Sequence, residues 1–147
     1  MLHEENWIAT CSYNLYKKKM GKPIRTSVSE PAWFLKAHMQ GEFLTLIKEV
    51  APFGIFDAEK NYDSDEIDKD YEERYIERLE QNKNKIFEQL NNLYNGETLI
   101  LLCFCDISKI WCHRTLLANW LAENGLHSEE LGISKKAKTF NNNTSLF

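Results

Sequence analysis

Residues 98–105, TLILLCFC, are apolar on both faces of any strand they form. A strand with one wet face alternates apolar and polar side chains; one without alternation is covered on both sides, the usual situation in a parallel sheet. Parallel strands need crossover connections, so this run requires helices before and after it. The sequence provides them. Residues 112–124 carry Leu116, Leu117, Trp120 and Leu121 at helical spacing, with Asn124-Gly125 as a stop. His127–Leu131 then reads as a short closing strand. Strand, helix, strand at this end forms a right-handed crossover unit.

Upstream, WIATCSY (7–13) reads as a first strand, and IRTSVS (24–29) as a second after the basic loop YKKKMGKP. Pro31 suits the first position of a short helix. Phe43, Leu44, Ile47 and Val50 fall at i, i+1, i+4 and i+7, which predicts a helix over 40–50, closed by Pro52 and Gly54. Residues 64–95 read as helical in two pieces. One has Ile67, Tyr71, Tyr75 and Leu79 on a face and Ser64 as cap. The other has Ile86, Leu90, Leu93 and Tyr94, with a break at Gln81–Asn84 and a stop at Asn95-Gly96. The predicted order is β-β-α-α-α-β-α-β. It describes an α/β three-layer sandwich with a small, mostly parallel, Rossmann-like sheet. We expect one domain over 1–132 and a loosely ordered tail over 133–147.

The net charge of -4 is unevenly distributed. Residues 57–80 carry 11 acids and four bases, a net of -7, which leaves +3 for the rest. The acidic segment reads as a solvated helix face. Lys17, Lys18, Lys19, Lys22 and Arg25 leave room for an anionic ligand. This balance ranks nucleic acid low among partners. No apolar run reaches the length of a membrane span. MLHEENWIAT lacks a basic n-region, so a secretory signal is not expected. A cytoplasmic setting with Cys11, Cys103, Cys105 and Cys112 reduced is the expectation. A homodimer is the commonest oligomer.

The chemistry centres on Cys112, His113 and Arg114, which open the helix after the buried run. Cations are the wrong charge for a helix start, where free N–H groups already carry partial positive charge. Such a start beyond the carboxyl end of a strand is a place for an anion. A phosphate or carboxylate guest would reconcile the charges, and the fork of Arg114 matches either. The internal alternative pairs Arg114 with Asp106 or an acid from 65–77. Three readings of Cys112 stand: a nucleophile with lowered pKa, a metal ligand with Cys103, Cys105 and His113, or a small packed residue. Two positions from cysteine to arginine leave no room for a phosphatase-type cradle. Tyr71 and Tyr75 are either core or a stacking surface flanked by Arg74 and Arg78, and Trp33 is ambiguous in the same way. Ser12, Tyr13, Arg25 and Ser27 end the first two strands, where hydroxyls and a guanidinium can face one pocket.

Taken together, LLCFC, DISKI and WCHRTLLANWLAENG resemble the domain-of-unknown-function family numbered 488, small α/β proteins of bacteria and their viruses. CSYNLYKKKMGKPIRTSVSEPAWF is similar to that family's first hairpin and Pro-Ala-Trp-Phe-like segment. YEERYIERL is similar to its Tyr-x3-Tyr-x3-Leu helix, and SEEL to its last short strand. The resemblance spans most of residues 7–131. It implies a ligand site built from Tyr71, Tyr75, His113 and Arg114, with Ser12 and Tyr13 near. Where the family carries a glutamate two places after the strand cysteine, this chain has Cys105, with Asp106 next. The resemblance implies no particular reaction. The reading that follows is a binder of a small phosphorylated ligand, a nucleotide first, with no cofactor and no metal. For a viral chain it implies capture of a host defence nucleotide signal. The alternatives are an enzyme acting on a nucleotide or base through Cys112 or His113, and a zinc-stabilised interaction module.

Overall fold

The computed structural model describes residues 7–55, 69–104 and 113–131. The five strands are β1 (Ile8–Ser12), β2 (Lys22–Arg25), β3 (Thr45–Leu46), β4 (Leu99–Cys103) and β5 (Glu129–Glu130). The helices are α1 (Ala32–His38), α2 (Lys69–Gln81), α3 (Lys83–Leu93) and α4 (His113–Glu123). The sheet order is β3-β2-β4-β1-β5, and every pairing is parallel.

The apolar run sits in the middle. All five residues of β4 are buried, as are all five of β1 beside it. Alternation sends their side chains to two separate cores. Ile8, Leu99 and Leu101 join Ile24 under α2, α3 and α4, with Tyr75, Leu79, Ile86, Leu90, Leu117 and Trp120. Ala9, Cys11, Ile100 and Leu102 face the other way, toward Tyr13, Tyr16 and Phe34 of α1. The three layers follow from a centre that has no polar face to offer water.

The α2–α3 break falls at Asn82, whose side-chain amide donates to Arg78 O at 2.9 Å. This lies inside the predicted polar interruption. The predicted cap Ser64 is outside the described residues. Two readings are corrected. Residues 40–50 are not a helix: the segment runs extended through β3, and a 3₁₀ turn follows at Lys48–Val50. Leu44, Ile47 and Val50 are buried, but Phe43 is 82% exposed, so the helical stripe was coincidental. The second correction concerns β1 and β2, which form no hairpin. The two are parallel, with β4 between them. The connection carries 3₁₀ turns at Tyr13–Leu15 and Lys18–Met20 back to the amino end of the sheet.

Strand β2 also begins earlier than predicted and includes Pro23. Proline is tolerated there because β3 pairs with Ile24 and Arg25 and leaves Pro23 on a locally open edge. At the entry to β2, Gly21 has φ +148, and a Cβ built there would lie 2.2 Å from Thr98 O. Glycine permits both the backbone conformation and the Lys22 N–H to Thr98 O bond of 2.8 Å. Among the described residues no helix is long and apolar enough to cross a membrane.

Candidate functional site

Buried polar side chains concentrate at one end of the sheet. Among the described residues, the buried polar or charged ones are Thr10, Ser12, Thr26, Ser27, Glu49, His113 and Arg114. All but Glu49 belong to the middle and carboxyl end of β1, the two residues just beyond β2, or the first turn of α4. The register explains the gathering. Ser12 aligns with Cys103, two residues past Leu101, so both leave the sheet toward α4. Thr26 continues the β2 register, its N–H donating to Leu102 O at 3.1 Å. The opening residues of α4 therefore lie over a floor of Ser12, Cys103 and Thr26.

His113, the first residue of α4, is 6% exposed. Its Nε2 lies 3.5 Å from Thr26 Oγ1. That hydroxyl donates its proton to Leu102 O at 2.9 Å, so toward the imidazole it can only accept. This favours the tautomer with hydrogen on Nε2 and a basic Nδ1. The Tyr75 ring meets the imidazole edge-on at 5.8 Å. Burial holds the His113 pKa below its ordinary value, against the opposing pull of Cys103 and a hydrogen bond to the Thr26 backbone; the Arg114 charge acts in the same direction as burial.

Arg114 is 1% exposed. Its Nε lies 3.0 Å from Glu130 Oε1, and the Thr10 hydroxyl donates to the same oxygen at 2.8 Å. A further contact runs from Nη1 to Cys103 Sγ at 3.6 Å. Among the described residues a carboxylate partner of Arg114 is Glu130, which the sequence reading did not name. Asp106 and residues 65–68 lie outside the described residues, and Glu130 comes from the edge strand, where it aligns with Thr10. Glu130 places one negative charge beside the Arg114 guanidinium.

The other predicted residues separate into groups. Tyr13 is buried; its hydroxyl bonds Ser27 Oγ at 2.7 Å, and burial raises its pKa to about 12. Its ring lies 4.9 Å from the half-exposed Phe104 at the end of β4. Arg25 turns onto its own loop, with Nε donating to Ser27 O at 2.9 Å, Nη2 donating to Val28 O, and the guanidinium 5.9 Å from the Phe53 ring centre. Tyr71 and Tyr75 are core residues, stacked at 6.2 Å, and the Tyr75 hydroxyl donates to Val50 O at 2.6 Å. Arg78 and Arg74 reach carbonyls of the 51–54 segment. Trp33 is half-exposed on α1 against Phe34. Cys112 lies outside the described residues. Lys22 stands beside Thr98 at the amino end of the sheet, away from His113, and Lys17–Lys19 sit in the turn leading there.

Thr10, Thr26 and Glu130 were absent from the predicted set. Their signal is positional: each aligns with a strand residue under α4, and that requires the register. The zinc alternative involves Cys105 and Cys112, outside the described residues. Among the described residues no three His, Cys, Asp or Glu side chains form a metal-binding group.

The chain is a parallel α/β sandwich with buried polar side chains at the strand carboxyl ends, beside the start of α4. The chain belongs to the DUF488 family: the model for DUF488-N3a, described as the active DUF488-N3 subclade, matches residues 8–125. That span takes in β1 to α4 and hence every described site residue except Glu130. No curated protein and no solved structure matches the chain.

Proposed function

We propose that this protein binds a small phosphorylated ligand, a nucleotide first, beyond the carboxyl ends of β1, β4 and β2. One observation carries the reading: all but one of the buried polar side chains among the described residues collect there. Buried hydroxyls and imidazoles cost free energy unless they are hydrogen-bonded, so a fold needs a reason to concentrate them. The α4 start adds N–H donors unused within the helix and a field that favours an anion. Arg114, held by Glu130, acts as a support that fixes the first turn of α4, and the ligand-facing roles fall to Ser12, Thr26 and His113. Exposed aromatic surface on Phe104 and Trp33 offers a base somewhere to stack. If the chain is viral, capture of a host defence nucleotide is the corresponding role.

Calorimetry with a panel of nucleoside monophosphates and cyclic nucleotides tests this reading. Binding of at least one, weakened about tenfold by Thr26→Val, is expected. No heat from any of them would contradict it.

A second reading has one observation in its favour. A buried imidazole with a basic Nδ1 is a competent proton acceptor, and the matched subclade is described as active. The same sample separates the two: mass spectrometry of ligand released by denaturing the complex shows intact ligand for a binder and converted ligand for an enzyme.

A further inference from the structure

The segment between β2 and α1 has an uneven hydrogen-bond inventory. Ser27, Val28 and Ser29 each bring one carbonyl and one N–H. All three carbonyls are engaged. Arg25 Nε donates to Ser27 O at 2.9 Å, Arg25 Nη2 donates to Val28 O, and Ser27 Oγ donates to Ser29 O at 2.5 Å. None of the described residues accepts a hydrogen bond from the N–H of Ser27, Val28 or Ser29. Ser27 is only 3% exposed, so water is a poor substitute there.

The segment is also held at both ends. Because the Ser27 hydroxyl gives its proton to Ser29 O, the Tyr13 hydroxyl donates to Ser27 Oγ, at 2.7 Å. Glu30 Oε2 accepts from Leu44 N–H at 3.2 Å. Burial falls off along the segment, from Ser27 through the half-buried Val28 to the exposed Ser29. Consecutive amides at a bend of the chain, with their carbonyls turned to other donors, leave N–H groups available to an anion. Thr26, next to the segment, touches the first residue of α4 at 3.5 Å. The segment therefore begins one residue from the contact with the start of α4.

We propose that residues 27–29 form a backbone cradle for a phosphate group, held in shape by Arg25. The inference rests on the reading of a phosphorylated ligand and adds where its phosphate sits. It also changes the role of Arg25. The residue is a positioning group that binds carbonyls and so leaves the amides for the oxyanion.

Amide ¹⁵N–¹H spectra of the full chain test the cradle, with three probes: inorganic phosphate, the four common ribonucleosides and their 5′-monophosphates. Phosphate and at least one monophosphate should move the Val28 and Ser29 amide protons downfield, and nucleosides should leave them in place. A monophosphate that shifts His113 but not residues 27–29 overturns the cradle and leaves the proposed function intact. Movement with inorganic phosphate and no monophosphate keeps the cradle and removes the nucleotide. No shift with any probe overturns both. Arg25→Ala should weaken the monophosphate about tenfold and leave nucleoside affinity unchanged. Tyr13→Phe, a milder release of the same segment, should give a smaller loss of the same sign. Full monophosphate affinity in both variants overturns the proposal.

Discussion

His113 and Arg114 are adjacent, yet burial acts on them in opposite ways. An imidazole can shed its proton and enter the core neutral; a guanidinium cannot, so it needs a carboxylate. Two predictions follow at this scale. Burial lowers the His113 pKa in the folded chain from 6.5. The unfolded chain therefore binds more protons as pH falls through 6.5. The stability attached to the neutral ring is complete above that pH and is lost toward the lower folded pKa. The unfolding free energy of the wild type should decline below pH 6.5 more steeply than that of His113→Gln. Parallel denaturation profiles from pH 5 to 8 would contradict this. The second prediction concerns Glu130→Ala, which removes the carboxylate 3.0 Å from a guanidinium that is 1% exposed. Because the Glu130 side chain is 19% exposed, the expected loss is about 2–4 kcal/mol, somewhat below the roughly 3–5 kcal/mol of a fully buried broken pair. Urea titration measures it, and a loss under about 0.5 kcal/mol would assign the pair no structural weight.

The elements show what the sequence could convey. Strand β4 and helix α4 were legible because a strand buried on both faces and a helix with a four-residue apolar stripe each have their own period. The break at Asn82 was legible from polarity. The 40–50 segment was not, because Phe43, Leu44, Ile47 and Val50 fit a helical template while β3 holds the chain extended at the sheet edge. The residue types of the site were legible at the strand ends and at α4. Their partners were not. Glu130 reaches Arg114 from an edge strand of two residues, and Arg25 is consumed by carbonyls of its own loop; neither fact has a local sequence signature. Gly21 is a further case, since its need arises from the close approach of Thr98. Gly21→Ala adds a Cβ 2.2 Å from Thr98 O at φ +148. The expected cost is about 2–4 kcal/mol from backbone strain and a weakened bond between β2 and Thr98. Thermal unfolding checks it, and an unchanged midpoint would mean that the entry to β2 yields easily.

Over the whole molecule, the arrangement serves one end of the sheet. Two apolar cores fix β1 and β4 from either side, so the residues at their carboxyl ends are placed without being needed for the core itself. Polar side chains tolerated there, the start of α4 and the loop after β2 come together from distant parts of the chain, and we propose that they form one site. The measurement that tests this most directly is a crystal structure of the protein with the tightest-binding nucleoside monophosphate. The account predicts the ligand beyond the carboxyl ends of β1, β4 and β2, its phosphate within hydrogen-bonding distance of the Val28 and Ser29 amides and its remainder alongside His113. A nucleotide bound on another face, with the α4 start and residues 26–29 uncontacted, would contradict it.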